Sequence, residues 1–430
     1  MRHTFSSVNQ IIVLIAWAAI LLTPLPIAAQ QIRDKTGRKP VNPAPNYHFA
    51  SGTSALGIPF QLSSNFVLVQ LRVNNSRPLC FLFSTASTSV IDTRIAKELG
   101  LRVQGKEEST ATGSSYEAGL ISGVSLALPG VTTFNQTVAV LPLELFSSIM
   151  GQPIAGLIGY DFISQFVIEV DYAKRKMNVY APATYRYSGT GEVLPIKFID
   201  KSPFVAVRIT VEGREAVEGT VKLETGSSGV LVVQRSFAEA HQLLKSVKGF
   251  RLGNVGGAEG SMSRTLQGRV KNIQVGRFMI NNPLVAFSQA EADKDATDGD
   301  GQIGGEVLRR FRLILDYSRQ RIILEPNEHL AEPVEADMSG FELVAEGADL
   351  KTLTINEVLA NSPAAEAGLQ EEDELTAING RLVTEFSLEQ IRQMLKQEGK
   401  EYVLKLKRGV AGATGKAQNA AADLSRIELN

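Results

Sequence analysis

Two blocks of this chain recur at nearly one spacing, and the recurrence constrains the fold more than any other feature. FLFSTASTSVI (81–91) matches VKLETGSSGVL (221–231) and aligns Ser84 with Glu224, an offset of 140 (224 − 84). IGYDFISQFVIEVDYAKRKMNVY (158–180) matches IGGEVLRRFRLILDYSRQRIILE (303–325) at an offset of 145 (303 − 158), with Ile, Gly, Phe, Asp and Tyr in register. Two independent blocks at nearly one offset predict duplicated lobes of about 130–150 residues. A chain of 430 residues has room for both and for a further domain. Within the repeats, short segments alternate apolar and polar residues between Gly-rich turns. FVLVQLRVNN (66–75) does so and then turns at Asn74-Asn75, so the lobes are predicted to be mostly β. Helices are few: TRIAKELGL (93–101), capped by Asp92 and ended by Gly100, and QRSFAEAHQLL (234–244).

The segment before the repeats has the pattern of an export signal. Arg2 supplies the positive end, IIVLIAWAAILL (11–22) the short apolar run, and PIAAQQ (26–31) small residues for cleavage after Ala29. Residues 1–29 are therefore expected to be a signal peptide. The mature protein is expected to be periplasmic or secreted, with no integral membrane span; an uncleaved anchor is the competing reading. Residues 30–57 are polar and rich in Pro and Gly, as in a linker. The single cysteine, Cys80, excludes an internal disulfide and suits a small buried hydrophobe. Lys plus Arg number 44 and Asp plus Glu 45, so the net charge is −1. No basic patch points to nucleic acid.

A third unit follows the repeats, over residues 336–409. SGFELVAEG (339–347) and KTLTINEVL (351–359) have strand patterns, NSPAAEAGL (361–369) that of a short capped helix, and DELTAINGRLV (373–383) that of a strand with an Asn-Gly turn. SLEQIRQMLKQEG (387–399) is an amphipathic helix with Ser387 as N-cap, and EYVLKLKRG (401–409) a closing strand. The Ala- and Gly-rich residues 410–430 are expected to be disordered.

The blocks of residues 58–326 resemble those of pepsin-like and retropepsin-like aspartic peptidases. STASTSVID stands where that family has Asp-Thr-Gly-Ala-Ser, and ETGSSGVLV where the second lobe repeats it. LIG (157–159) and QIG (302–304) stand where a hydrophobic-hydrophobic-Gly strand threads behind each turn. The resemblance implies a bilobal acid-protease fold, with lobes over 58–190 and 191–330 and a peptide cleft between them. It places Ser84 and Glu224 at the two catalytic positions. Thr85, Ala86, Thr225 and Gly226 are then the turn residues, each Thr bracing the other lobe's loop. A flap hairpin would fall near TATGSSYEAGL (110–120), with Tyr116 as its aromatic residue. Residues 336–409 resemble a bacterial-type PDZ domain, through SGFEL, SPAAEAGL and DELTAING. Ser339, Gly340, Phe341, Glu342 and Leu343 then form the loop that captures a C-terminal carboxylate, and peptides or protein C-termini are the implied partners.

In the family two carboxylates share one water and one proton, one acting as base and the other as acid. Neither position here is Asp. A serine hydroxyl holds a water but does not exchange a proton as a carboxyl does, and losing one acid–base partner costs roughly 10²–10⁴ in rate. Glu224 is one methylene longer than Asp, and a displacement of about 1 Å costs about 10² more. A serine nucleophile would need a Lys or His base, and His48, His241 and His329 lie beside neither motif. ADKDATDGDGQIGGE (292–306) carries Asp293, Asp295, Asp298 and Asp300 but fails the EF-hand pattern, since Asp298 stands where Gly is required. No metal or cofactor is expected. Three functions remain open: peptide binding with proteolysis lost or strongly reduced, an active endopeptidase with an altered dyad, and a structural envelope component. The sequence does not fix the oligomeric state.

Overall fold

The computed structural model describes residues 46–111, 114–247, 251–256, 262–289, 299–408 and 422–429. The signal segment and most of the expected linker lie outside these residues. The repeats fold as two β lobes joined through one sheet. In each lobe the strand entering the Thr turn pairs in parallel with the hydrophobic-hydrophobic-Gly strand: Leu79–Phe83 with Gly156–Ile158, and Val217–Leu223 with Gly301–Ile303. The strand after the turn, Val90–Asp92 or Leu231–Val233, pairs antiparallel on the other side of that same strand. These threading strands need glycine at their ends. A Cβ on Gly159 would lie 2.2 Å from the Ser87 carbonyl oxygen, and one on Gly304 2.5 Å from that of Gly229.

The second repeat block builds the junction. Val167–Asp171 and Lys176–Tyr180 form a hairpin in one lobe; Phe311–Asp316 and Arg321–Pro326 form its counterpart in the other. The two hairpins pair antiparallel through Val167–Asp171 and Phe311–Asp316, with Glu169 opposite Ile314. Ile168, Val170, Leu313 and Leu315 along this ladder are fully buried and join the main core, which runs through both lobes. Arg312 bridges the two hairpins, donating to the buried Glu169 carboxylate of the other at 2.7 Å and to Glu325 of its own at 3.0 Å. Burial pushes the Glu169 carboxyl up, but hydrogen bonds from Asn178, Arg312 and Tyr185 outweigh it and hold the group below its ordinary range.

Two boundaries differ from the sequence expectation. The expected linker (30–57) already contains structure: Tyr47–Phe49 pairs with Val131–Thr133, Phe49 is buried, and a long strand starts at Ser54. The expected disordered tail (410–430) contains the strand Ala422–Glu428, paired antiparallel along the whole of Glu401–Lys407. Ile427 and Leu429 have no exposed surface and belong to the core of the C-terminal domain, and this burial outweighs the weak strand propensity of the flanking sequence.

The C-terminal domain is a six-stranded sheet ordered with Phe341–Glu346 at one edge. Two short helices, Pro363–Glu366 and Leu388–Met394, begin at Ser362 and Ser387, whose hydroxyls accept from Ala365 N and Gln390 N. Its connection to the second lobe is pinned. Arg310, fully buried, donates to the carbonyls of His329 at 3.0 Å and Glu332 at 2.6 Å, and Arg269 reaches the Val334 carbonyl at 3.3 Å.

Candidate active site and peptide groove

The two Thr turns meet at the centre of the lobes, and their backbones are held alike. Ser84 N donates to the Ile158 carbonyl at 3.1 Å, and Glu224 N to the Ile303 carbonyl at 3.0 Å. Tyr160 N donates to Ser87 O and Gly305 N to Ser227 O, at corresponding positions of the two repeats. The threonines tie one turn to the other. Thr85 Oγ1 donates to the Leu223 carbonyl at 2.6 Å and accepts from Thr225 N at 3.0 Å. Thr225 Oγ1 donates to the Phe83 carbonyl at 2.8 Å and accepts from Thr85 N at 3.2 Å. Both threonines are fully buried, so all four bonds are shielded from water.

The repeat thus brings Ser84 and Glu224 face to face. Ser84 Oγ donates to Glu224 Oε1 at 3.0 Å, and Ser87 Oγ donates to Ser84 Oγ at 2.9 Å. The Gly226 N–H also points at Glu224 Oε1, at 2.5 Å. A Cβ on Gly226 would stand 2.8 Å from that oxygen and 3.0 Å from Ser84 Oγ, so the glycine keeps the space between them open. Ala86 occupies the corresponding position of the other turn. The facing group of this single carboxylate is a hydroxyl. A hydroxyl and a backbone N–H orient a carboxylate, whereas a paired dyad is tuned by the repulsion of two like charges.

Two tyrosines lie near this centre, both from the Asp-Tyr pair of the second repeat block. Tyr317 donates to the Thr85 carbonyl at 3.3 Å. Its repeat partner Tyr172 is buried, and its hydroxyl has no hydrogen-bond partner among the described residues. Burial, then the Glu224 charge, raises the pKa of both phenols. The in-register recurrence of Asp-Tyr was the sequence signal for this pair. Ser87 and Asn65 carried no signal of their own. Asn65 Nδ2 spans the lobes, donating to the Ser228 carbonyl and to Glu306 Oε2, both at 2.9 Å.

The other candidates separate. The flap position Tyr116 lies in the strand Ser114–Leu128, opposite Ser109 of Gly105–Ala111; its side chain is outside the described residues. Burial pushes the Cys80 thiol up to about 11, far from a thiolate nucleophile. His241 lies against the Phe237 ring and His329 pairs with Glu332, so neither is a partner of Ser84. Asp300 ties down its own loop through Thr220 N at 2.7 Å, and Asp293, Asp295 and Asp298 lie outside the described residues.

In the C-terminal domain, Ser339 is fully buried, and its N–H and hydroxyl both bond Asp337 Oδ1, at 2.9 and 2.5 Å. Gly340 adopts φ +75°, and a Cβ there would lie 2.2 Å from Ser362 Cβ, so glycine is required. Its carbonyl accepts from Leu359 N at 2.8 Å. Phe341 and Leu343 then turn inward and Glu342 outward along the edge strand. The helix Leu388–Met394 turns Leu388 and Ile391 into the core of this domain, and Arg392 on it donates to the Leu343 carbonyl of the edge strand at 3.1 Å.

Duplicated lobes with reciprocal Thr turns, followed by a separate small β domain, define an acid-protease-like architecture with an appended module. Residues 69–162 match the family model described as aspartyl protease, and residues 331–407 match that of the PDZ domain. The chain therefore carries an aspartyl protease domain followed by a PDZ domain, in a mostly β protein. No curated protein matches it.

Proposed function

We propose that this protein binds peptides or protein C-termini outside the cytoplasm and has lost, or nearly lost, aspartic-type proteolysis. The observation that carries this reading is the Ser84 hydroxyl 3.0 Å from Glu224 Oε1, in a frame where the Thr turns are intact. A retained frame in which a hydroxyl stands at one of the two catalytic positions favours binding over hydrolysis. The PDZ domain supplies a second peptide site in which Ser339–Leu343 receives the terminal carboxylate. Export rests on the pattern of residues 1–29.

Digestion of a peptide library at acid and neutral pH tests the catalytic part. Wild type and Glu224→Gln should cleave equally little. Ser84→Asp combined with Ala86→Gly and Glu224→Asp should restore cleavage, best at acid pH where one carboxyl keeps its proton. Robust wild-type cleavage abolished by Glu224→Gln would replace this reading with an endopeptidase that runs on one glutamate. N-terminal sequencing of the exported protein should give Gln30.

A further inference from the structure

The PDZ groove faces the protein's own lobes. Its strand Phe341–Glu346 is at the sheet edge, where an added peptide strand would pair. The lobe helix Glu144–Met150 packs against that strand. The helix ends at Gly151, with φ +64°, so close to the groove helix that a Cβ would lie 2.7 Å from Leu388 Cβ. From the neighbouring hairpin turn, the Ser64 hydroxyl bonds the Glu389 carboxylate, one residue further along the groove helix. Arg392 reaches from the same helix to the Leu343 carbonyl at 3.1 Å. A cavity of about 240 Å³ lies beside this contact, between residues 334–337 and Lys396 on one side and Ser228–Val232 on the other.

We propose that the lobe helix Glu144–Met150 is the resident occupant of the PDZ groove, and that a C-terminal peptide binds only by displacing it. This rests on the peptide-capture reading above. An extended peptide and this helix both need the edge of Phe341–Glu346, and two occupants of one edge exclude each other. The helix is also part of the first lobe's core. Phe146 stacks edge-to-face on Phe66 at 5.7 Å and, with Met150, packs among Leu82 and Leu157, on the strands that carry and back the Ser84 turn. Displacing the helix therefore alters the packing behind Ser84, and groove and cleft are linked reciprocally: whatever stabilises one arrangement disfavours ligands of the other. The closed arrangement lowers apparent peptide affinity by the fraction of molecules in which the groove is free.

The test uses the full chain with Cys80→Ala as background. Gly151→Cys with Leu388→Cys brings the two Cβ positions to 2.7 Å, so the two helix ends must part by about 1 Å to reach the separation of about 3.8 Å typical of a disulfide. Ser64→Glu, on the lobe side alone, sets a like charge against Glu389 and leaves the groove residues untouched. The probe is a fluorescent peptide pool, randomised over its last four positions, with a free C-terminal carboxylate. The cysteine pair should cross-link under mild oxidation, bind the pool at least tenfold more weakly than when reduced, and recover on reduction. Ser64→Glu should bind threefold or more tighter than wild type. Failure to cross-link, or equal binding by oxidised and reduced protein, overturns the proposal while leaving peptide capture standing. No binding by the reduced pair, Ser64→Glu and wild type alike overturns both.

Discussion

The reciprocal threonines make a quantitative prediction about what holds the lobes in register. Thr85→Val keeps the shape of the side chain and removes Oγ1, which serves the Leu223 carbonyl at 2.6 Å and the Thr225 N–H at 3.0 Å. Both lost partners are buried in the turn core, and each buried group left unpaired costs about 1–3 kcal/mol. The variant should lose about 2–6 kcal/mol, a large fraction of the roughly 5–15 kcal/mol available to a folded domain. Thr85→Ser keeps Oγ and loses one methyl, a change of about 0.5–1.5 kcal/mol. Thr225→Val should match Thr85→Val, since its Oγ1 also makes two bonds across the lobes. The double variant should cost less than the two singles together, because each threonine also bonds the other's backbone. Urea unfolding of the lobes, followed by far-ultraviolet circular dichroism, gives all four values. A Thr85→Val loss below about 1 kcal/mol, or strict additivity of the double variant, would show that the bonds do not act as a unit.

Three further outcomes follow from buried groups. Tyr172→Phe removes a hydroxyl with no partner among the described residues and should leave stability unchanged or raise it by about 1 kcal/mol; a loss larger than that, in thermal unfolding, would reveal a bond to the hydroxyl. Glu169 is held below its ordinary value of 4.5, so its contribution is complete above that pH and lost as pH falls through the lower folded value; the melting temperature should drop in that acid window, and Glu169→Gln should flatten the drop. Truncation after residue 420 removes Ile427 and Leu429, each worth about 1.5–3 kcal/mol of burial, and should make the PDZ domain sensitive to limited proteolysis while the lobes persist; an equally resistant truncated protein would mean that the last strand is dispensable.

What the sequence made legible was whatever repeats or caps locally. The spacing of Ser84 and Glu224 foretold that their turns would meet, since both carry the same strand-turn-strand signal and the same threading Gly. Helix starts at Asp92 and Ser387 were visible because their caps act within three residues. The strands Tyr47–Phe49 and Ala422–Glu428 were not visible. Each is a short segment next to Pro- or Ala-rich chain, and its pairing is with a strand already made elsewhere: Tyr47 opposite Thr133, Glu428 opposite Glu401. The cross-lobe contact of Arg312 with Glu169 was hidden for the same reason, as neither residue has a local pattern that names the other. The Gly151–Leu388 contact joins two domains, and nothing in an amphipathic helix states which surface will cover it.

The shared ladder gives each half of the duplicated region a cohesive end. Severed near residue 190, the first fragment would expose the bare edge of Val167–Asp171, with Ile168 and Val170 stripped of cover and Glu169 without Arg312. The second would expose Phe311–Asp316 in the same way. Such edges do not remain solitary in water. Two separately made fragments would find each other, and one made alone would settle against its own copy. The fused chain behaves as a dimer whose partner can never diffuse away, and this frees its two turns to diverge, one to serine and the other to glutamate.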